Sequence, residues 1–257
     1  MTSFTTILFD VADNVATVTL NRPHVLNAFD PTMCDEFSRV WSIAREDDDI
    51  HCVVLRAAEG RAFCTGVDRL AEKAAVTNPW NKTDPGRKLG PKSNLVYKPV
   101  IVAVHGMCAG GAFYWLNEAD IIICSPDATF FDPHVTYVMT SAFEPVGLAR
   151  RIPYGEAARW ALVGLDERMS AERAHGIGLV SEIVPRDSLW DRARQLATRI
   201  AEKPTVAVQG TTKALWEGVE LTRSQMQSVA INFTQLGNPL SKTDLASTKR
   251  PDTWELR

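Results

Sequence analysis

Two short loops carry residues that can do chemistry. Residues 61–68 read Arg-Ala-Phe-Cys-Thr-Gly-Val-Asp, and residues 105–111 read His-Gly-Met-Cys-Ala-Gly-Gly. Small residues let a backbone approach a ligand closely, and a glycine turn that feeds a helix leaves bare N–H groups at the helix start. Such a start favours negative charge. Two N–H groups converging from these loops would form an oxyanion hole, which stabilises charge developing on a carbonyl oxygen in enolate or tetrahedral chemistry. The plainer reading of each loop is a turn, and only convergence separates the two.

Other candidates are sparse. Ser141-Ala142-Phe143-Glu144 fits a capping box, with Glu144 serving a helix start. The five cysteines, Cys34, Cys52, Cys64, Cys108 and Cys124, show no C-x-x-C spacing and sit mostly in apolar runs, which predicts buried thiols. His24, His51 and His175 have no partner at metal-ligand spacing, so no metal is expected. His105 at a strand end reads as structural.

The elements that must position the loops follow an α/β pattern. Residues 5–9 and 15–20 read as a hairpin around Asp13-Asn14. Asp30-Pro31 opens a helix with Met33, Phe37, Val40, Trp41 and Ala44 on one face, ending before the acidic run 46–49. Residues 50–55 read as a strand and 69–75 as a short helix. Residues 77–93, rich in Pro, Gly, Asn, Lys and Asp, read as a lid. The unbroken apolar run 100–104 suits a strand covered on both faces, followed by a helix over 112–117 and a strand from 120. A strand over 128–131, a turn at Asp132-Pro133-His134, helices over 141–152 and 155–162, a short helix from 170 that ends at Gly176 or Gly178, and a strand over 179–184 come next. Long helical segments then follow, which places a boundary near residue 190. Residues 1–190 form an α/β core and 191–257 a helical part.

Bulk composition narrows the function classes. The 257 residues carry 28 basic and 31 acidic side chains, a formal charge of −3, so there is no basic footprint for nucleic acid. With 45% hydrophobic residues and no membrane-length apolar run or leader, a cytoplasmic globular protein is expected.

The segments NRPHVLNAF at 21–29, RAFCTGVDRL at 61–70, KPVIVAVHGMCAGGAF at 98–113, ADIIICSPDATF at 119–130 and ERAHGIGLVSEIVP at 172–185 resemble the crotonase (enoyl-CoA hydratase/isomerase) superfamily in order along most of the chain. The resemblance implies an α/β spiral of β-β-α units and a C-terminal helical region that assembles homotrimers, often paired into dimers of trimers. It implies acyl-CoA thioester substrates, with coenzyme A part of the substrate and no separate cofactor. By position, Val67 and Gly111 would supply the two oxyanion N–H groups. Arg22, Val25, Leu26, Ala62, Phe63 and Asp68 would line the CoA groove, and Lys249 or Arg250 would meet CoA phosphate. Asp68 also reads as a loop or helix-cap residue.

The chain departs from the family where hydratases carry two glutamates. Tyr114 stands at one position and His134 at the other. Two-glutamate hydration is therefore not the expected reaction. Glu144 is the leading remaining carboxylate, and catalysis and capping can coexist there. His134 is expected to act as base or hydrogen-bond donor. Tyr114 is expected to fill space or to donate through its phenol, and Tyr137 and Met139 to form pocket wall. The expectation is enolate chemistry of isomerase, lyase or hydrolase type. The alternative is a catalytically inactive acyl-CoA scaffold of the same fold.

Overall fold

β1 (Ile7–Ala12) and β2 (Val15–Leu20) form the expected hairpin, turning on Asp13 and Asn14 at φ 49° and 61°. These residue types tolerate that conformation. The computed structural model describes residues 4–71, 80, 84–240 and 254–256. α1 (Pro31–Glu46) follows, with the Asp30 carboxylate accepting the Met33 N–H at 2.8 Å. It buries Met33, Phe37, Val40, Trp41 and Ala44 as the spacing predicts. The helix runs on to Glu46, into the acidic run that was expected to lie beyond it. Arg45 and Ser42 hold that carboxylate.

Next come β3 (Cys52–Ala57), β4 (Ala62–Cys64), β5 (Val100–Val104), β6 (Met107–Ala109), α2 (Phe113–Glu118), β7 (Ile121–Cys124) and β8 (Thr129–Phe131). Then follow α3 (Phe143–Leu148), α4 (Tyr154–Leu162), β9 (Met169–Ser170), α5 (Ala171–Gly176), β10 (Glu182–Ile183) and α6 (Leu189–Ala201). β1-β2-β3-β5-β7-β10 make a six-stranded sheet, and β4-β6-β8-β9 a four-stranded one. Three times in succession a strand of the first sheet is followed by a strand of the second, so each turn of the spiral adds one strand to each.

β5 shows why its run has no polar residue. Val100, Val102 and Val104 pack into the main core, while Ile101 and Ala103 pack on the other face with Leu189, Ala193 and Ala197 of α6. Period-2 alternation puts successive side chains on opposite faces, and here both are covered.

Two elements are shorter than expected. α3 spans 143–148 rather than 141–152, because Ala142 has a non-helical backbone and residues 149–152 continue as turns. β10 keeps only Glu182 and Ile183 paired with β7.

The chain divides into two compact units, Met1–Ala201 and Glu202–Arg257. α6, which begins at the boundary expected near residue 190, belongs to the first. In the second, α7 (Thr205–Gly218) and α8 (Arg223–Leu240) pack together, with Met226 seated on Gly218, and Leu215, Ile231 and Leu236 are exposed. Among the described residues no helix is long and apolar enough to cross a membrane.

Candidate active site

β4 and β6 are parallel neighbours, so the loops leaving their carboxyl ends lie side by side. The contact is between backbones. Gly66 sits at φ 90°, and a Cβ there would stand 3.1 Å from the Gly111 nitrogen. A Cβ on Gly111 would in turn meet the Phe29 ring at 2.7 Å. Phe29 forms a parallel bridge to Val67: its N–H donates to Gly66 O at 2.9 Å, and the Asp68 N–H donates to Phe29 O at 2.8 Å. The middle residue of such a bridge turns its own N–H the other way, so the Val67 N–H faces away from Phe29. Gly111 lies in the first turn of the helical segment that runs from Gly110 through α2, where N–H groups lack intrahelical acceptors.

His134 reaches the same place from β8. A Cβ on Gly110, which sits at φ 50°, would stand 3.5 Å from His134 Cε1. His134 Nδ1 hydrogen-bonds Asp132 Oδ1, which also accepts the His134 backbone N–H at 3.2 Å. On the opposite side of the ring, His134 Nε2 stands 3.9 Å from Glu144 Oε1. Side-chain exposures of 0% for Asp132, 17% for His134 and 6% for Glu144 make this a nearly dry row of groups. Asp132 beside the ring raises the His134 imidazole above its ordinary value against the effect of burial, and Glu144 adds to the rise. Burial raises the Glu144 carboxyl, although its own N–H and His134 pull the other way. Asn117 on α2 fixes Glu144 by donating to its carbonyl at 2.9 Å.

The capping-box expectation fails in detail. The residue at the start of α3 is Ala142, with no side-chain cap, and Ser141 Oγ is buried without a partner among the described residues. The Glu144 carboxylate takes its own N–H in the first turn of α3 and also faces His134 across 3.9 Å.

Tyr114 packs between Phe29 and Phe143, with ring centroids 6.4 and 6.2 Å away, and donates its hydroxyl to Asp84 Oδ2 at 2.7 Å. It fills the space and its donor is used. Burial, and then Asp84, push the phenol far above its ordinary value. The sequence reading missed Asp84, absorbed into the supposed lid. The Asp84-Pro85-Gly86 run was a readable signal, since Asp84 caps the short turn Pro85–Lys88 and accepts the Gly86 N–H at 3.1 Å. Asp132 was also missed, read only as part of a turn.

The residues expected at a CoA groove separate by role. Arg22 pairs with Asp30 at 3.2 Å and Asp68 at 3.0 Å and donates to Ala28 O, so its guanidinium ties three turns together. Asp68 is held below the usual carboxylate range despite its desolvation, by the Leu70 N–H and by Arg22. Val25 and Leu26 end a half-buried turn, with Leu26 at φ 57°. Ala62 and Phe63 are buried, and Phe63 lies edge-on to Trp115 at 6.2 Å, so only their backbones remain for a ligand. Lys249 and Arg250 lie outside the described residues, as does most of the expected helix 69–75. Arg69 lies over the exposed Tyr137 ring at 4.3 Å, and Met139 and Phe143 are exposed nearby in sequence. Cys64 beside Gly66 is no nucleophile, since burial pushes its thiol up to about 12. Among the described residues no three His, Cys, Asp or Glu side chains are grouped to hold a metal.

The profile of the enoyl-CoA hydratase/isomerase family matches residues 10–250. The chain is 33% identical over 218 residues to (E)-benzylidenesuccinyl-CoA hydratase of Thauera aromatica, covering 84% of each. It is 34% identical over 206 residues to (7aS)-7a-methyl-1,5-dioxo-2,3,5,6,7,7a-hexahydro-1H-indene-carboxyl-CoA hydrolase of Rhodococcus jostii, covering 79% of this chain and 77% of the relative. An enoyl-CoA hydratase/isomerase from Mycobacterium paratuberculosis has a crystal structure that superposes with a TM-score of 0.85 at 35% identity, covering 95% of this chain and 94% of that one.

Proposed function

The chain belongs to the enoyl-CoA hydratase/isomerase family, and from that premise we propose that it binds an acyl-CoA thioester and moves protons on it with Glu144 and His134. The Val67 and Gly111 N–H groups hold the thioester oxygen. Loss of a proton from the substrate carbon sends the C–H electron pair toward that oxygen. The two N–H groups stabilise the resulting enolate, and the proton waits on the carboxylate or the imidazole until it returns to carbon.

One observation carries this reading. His134 Nε2 and Glu144 Oε1 face each other across 3.9 Å, beside Gly110 and almost out of water. Two-glutamate hydration does not suit the site, because Tyr114 is bound to Asp84 and His134 occupies the other position. Isomerisation, lyase or hydrolase chemistry follows instead. The CoA moiety lies along the turn at Val25–Leu26 and the 62–68 loop. The exposed apolar side chains of α7 and α8 are the surface for a homotrimer or a dimer of trimers.

The scaffold alternative gains if the Glu144 carboxylate points into helix N–H groups and away from the site. Its carboxylate does take its own N–H, yet it also faces His134. Incubation in heavy water with butyryl-CoA and phenylacetyl-CoA separates the two readings. Deuterium uptake at the α-carbon supports catalysis, and binding without uptake supports the scaffold.

A further inference from the structure

We propose that Asp132 is a positioning residue for the proton-transfer pair, holding His134 in the tautomer protonated at Nδ1 with Nε2 free toward Glu144. This deepens the reading of the site given above and rests on it. Asp132, the first residue after β8, is fully buried, and one of its oxygens takes both the ring nitrogen and the backbone N–H of His134. An ionised carboxylate only accepts, so the nitrogen facing it carries the proton and the other nitrogen keeps a lone pair. Pro133 between the two residues restricts the turn, and the missing Cβ of Gly110 leaves room for the ring edge.

The second oxygen, Asp132 Oδ2, is buried without a partner among the described residues. A carboxylate so poorly solvated gains when its one ring partner becomes cationic. The charged groups acting on His134 are Asp132 from its own turn and Glu144 from α3. Behind Glu144 stand Asp84 and Tyr114. In the step itself the substrate C–H breaks and an N–H forms at Nε2. The electron pair moves onto the thioester oxygen, and Asp132 keeps its hold on Nδ1. The proton later leaves Nε2 for carbon, directly or through the Glu144 carboxylate.

The test uses the full chain labelled with ¹⁵N-histidine, with the His134 signals assigned by their loss in His134→Gln. Wild-type His134 is expected in the Nδ1–H form. In Asp132→Asn, turnover in the deuterium-exchange assay with butyryl-CoA is expected to fall roughly 10²- to 10⁴-fold with KM little changed. The His134 titration and the acidic limb of the rate profile should both move to lower pH, because neutral Nε2 is the base. An Nε2–H tautomer in the wild type overturns the proposal, and so does an unmoved titration and limb in Asp132→Asn. Should that variant not fold, the wild-type tautomer alone decides. Absence of exchange in a wild type that holds the Nδ1–H tautomer would instead sink the catalytic reading and leave the positioning intact.

Discussion

His134 Nε2 stands 3.9 Å from Glu144 Oε1, where the family's hydratases would present a glutamate in place of the histidine. The pair is built from opposite ends of the fold's logic. β8 and a proline turn deliver His134, whereas a six-residue helix resting on α2 delivers Glu144. Glu144→Gln and His134→Gln are each expected to lower turnover roughly 10²- to 10⁴-fold. The double variant should be little worse than either, because groups acting as a unit are not additive. Steady-state rates for the three variants check this.

Stability should carry the mark of a buried carboxyl. The folded Glu144 pKa lies above its ordinary value of 4.5. Its contribution to stability is therefore full below about 4.5 and is lost as pH rises through the raised folded value. Glu144→Gln cannot ionise, so its melting temperature relative to wild type should climb with pH across that window. A difference that stays flat with pH contradicts the burial cost.

His105 sets an acid limit by the opposite sign. It is fully buried, neither ring nitrogen has a partner among the described residues, and burial depresses it from 6.5 to about 4. Its neutral form supports the fold above 6.5, and that support is lost as pH falls toward 4, by roughly 3 kcal/mol. Denaturant titrations at several pH values should show His105→Leu losing this part of the acid sensitivity.

Gly66→Ala tests the proposed oxyanion loops. The added Cβ must sit at φ 90° and 3.1 Å from the Gly111 nitrogen, so the two loops must part. A loss of about 10²-fold or more in kcat is expected, in line with removal of one oxyanion donor. CoA affinity, measured by calorimetry, should change far less.

Tyr114→Phe separates filling from chemistry. The ring stays, and Asp84 loses its hydroxyl donor. Stability should fall by about 1 kcal/mol, with turnover within a few-fold of wild type. A turnover loss of 100-fold would place the hydroxyl in the reaction.

The fold was legible where one residue type answers one requirement. The uninterrupted Val100–Val104 run meant two covered faces, Asp30-Pro31 meant a helix start, and the two glycine loops meant close backbones. What stayed hidden depends on partners distant in sequence. Asp84 caps the turn its own run announces, but its other oxygen meets Tyr114, thirty residues later, only in the fold. Asp132 looks like a turn residue until the burial of β8 removes its water and leaves His134 as its ring partner. Phe63 shares a motif with surface-loop residues, and its ring nevertheless belongs to the core because it meets Trp115.

The most direct measurement is α-deuterium incorporation in heavy water for wild type and Glu144→Gln on the same bound acyl-CoA, with the dissociation constant measured for each. Proton transfer by the Glu144–His134 pair requires incorporation in the wild type and its loss in the variant at nearly unchanged affinity. Equal incorporation in both proteins, or none in a wild type that binds the thioester, contradicts it.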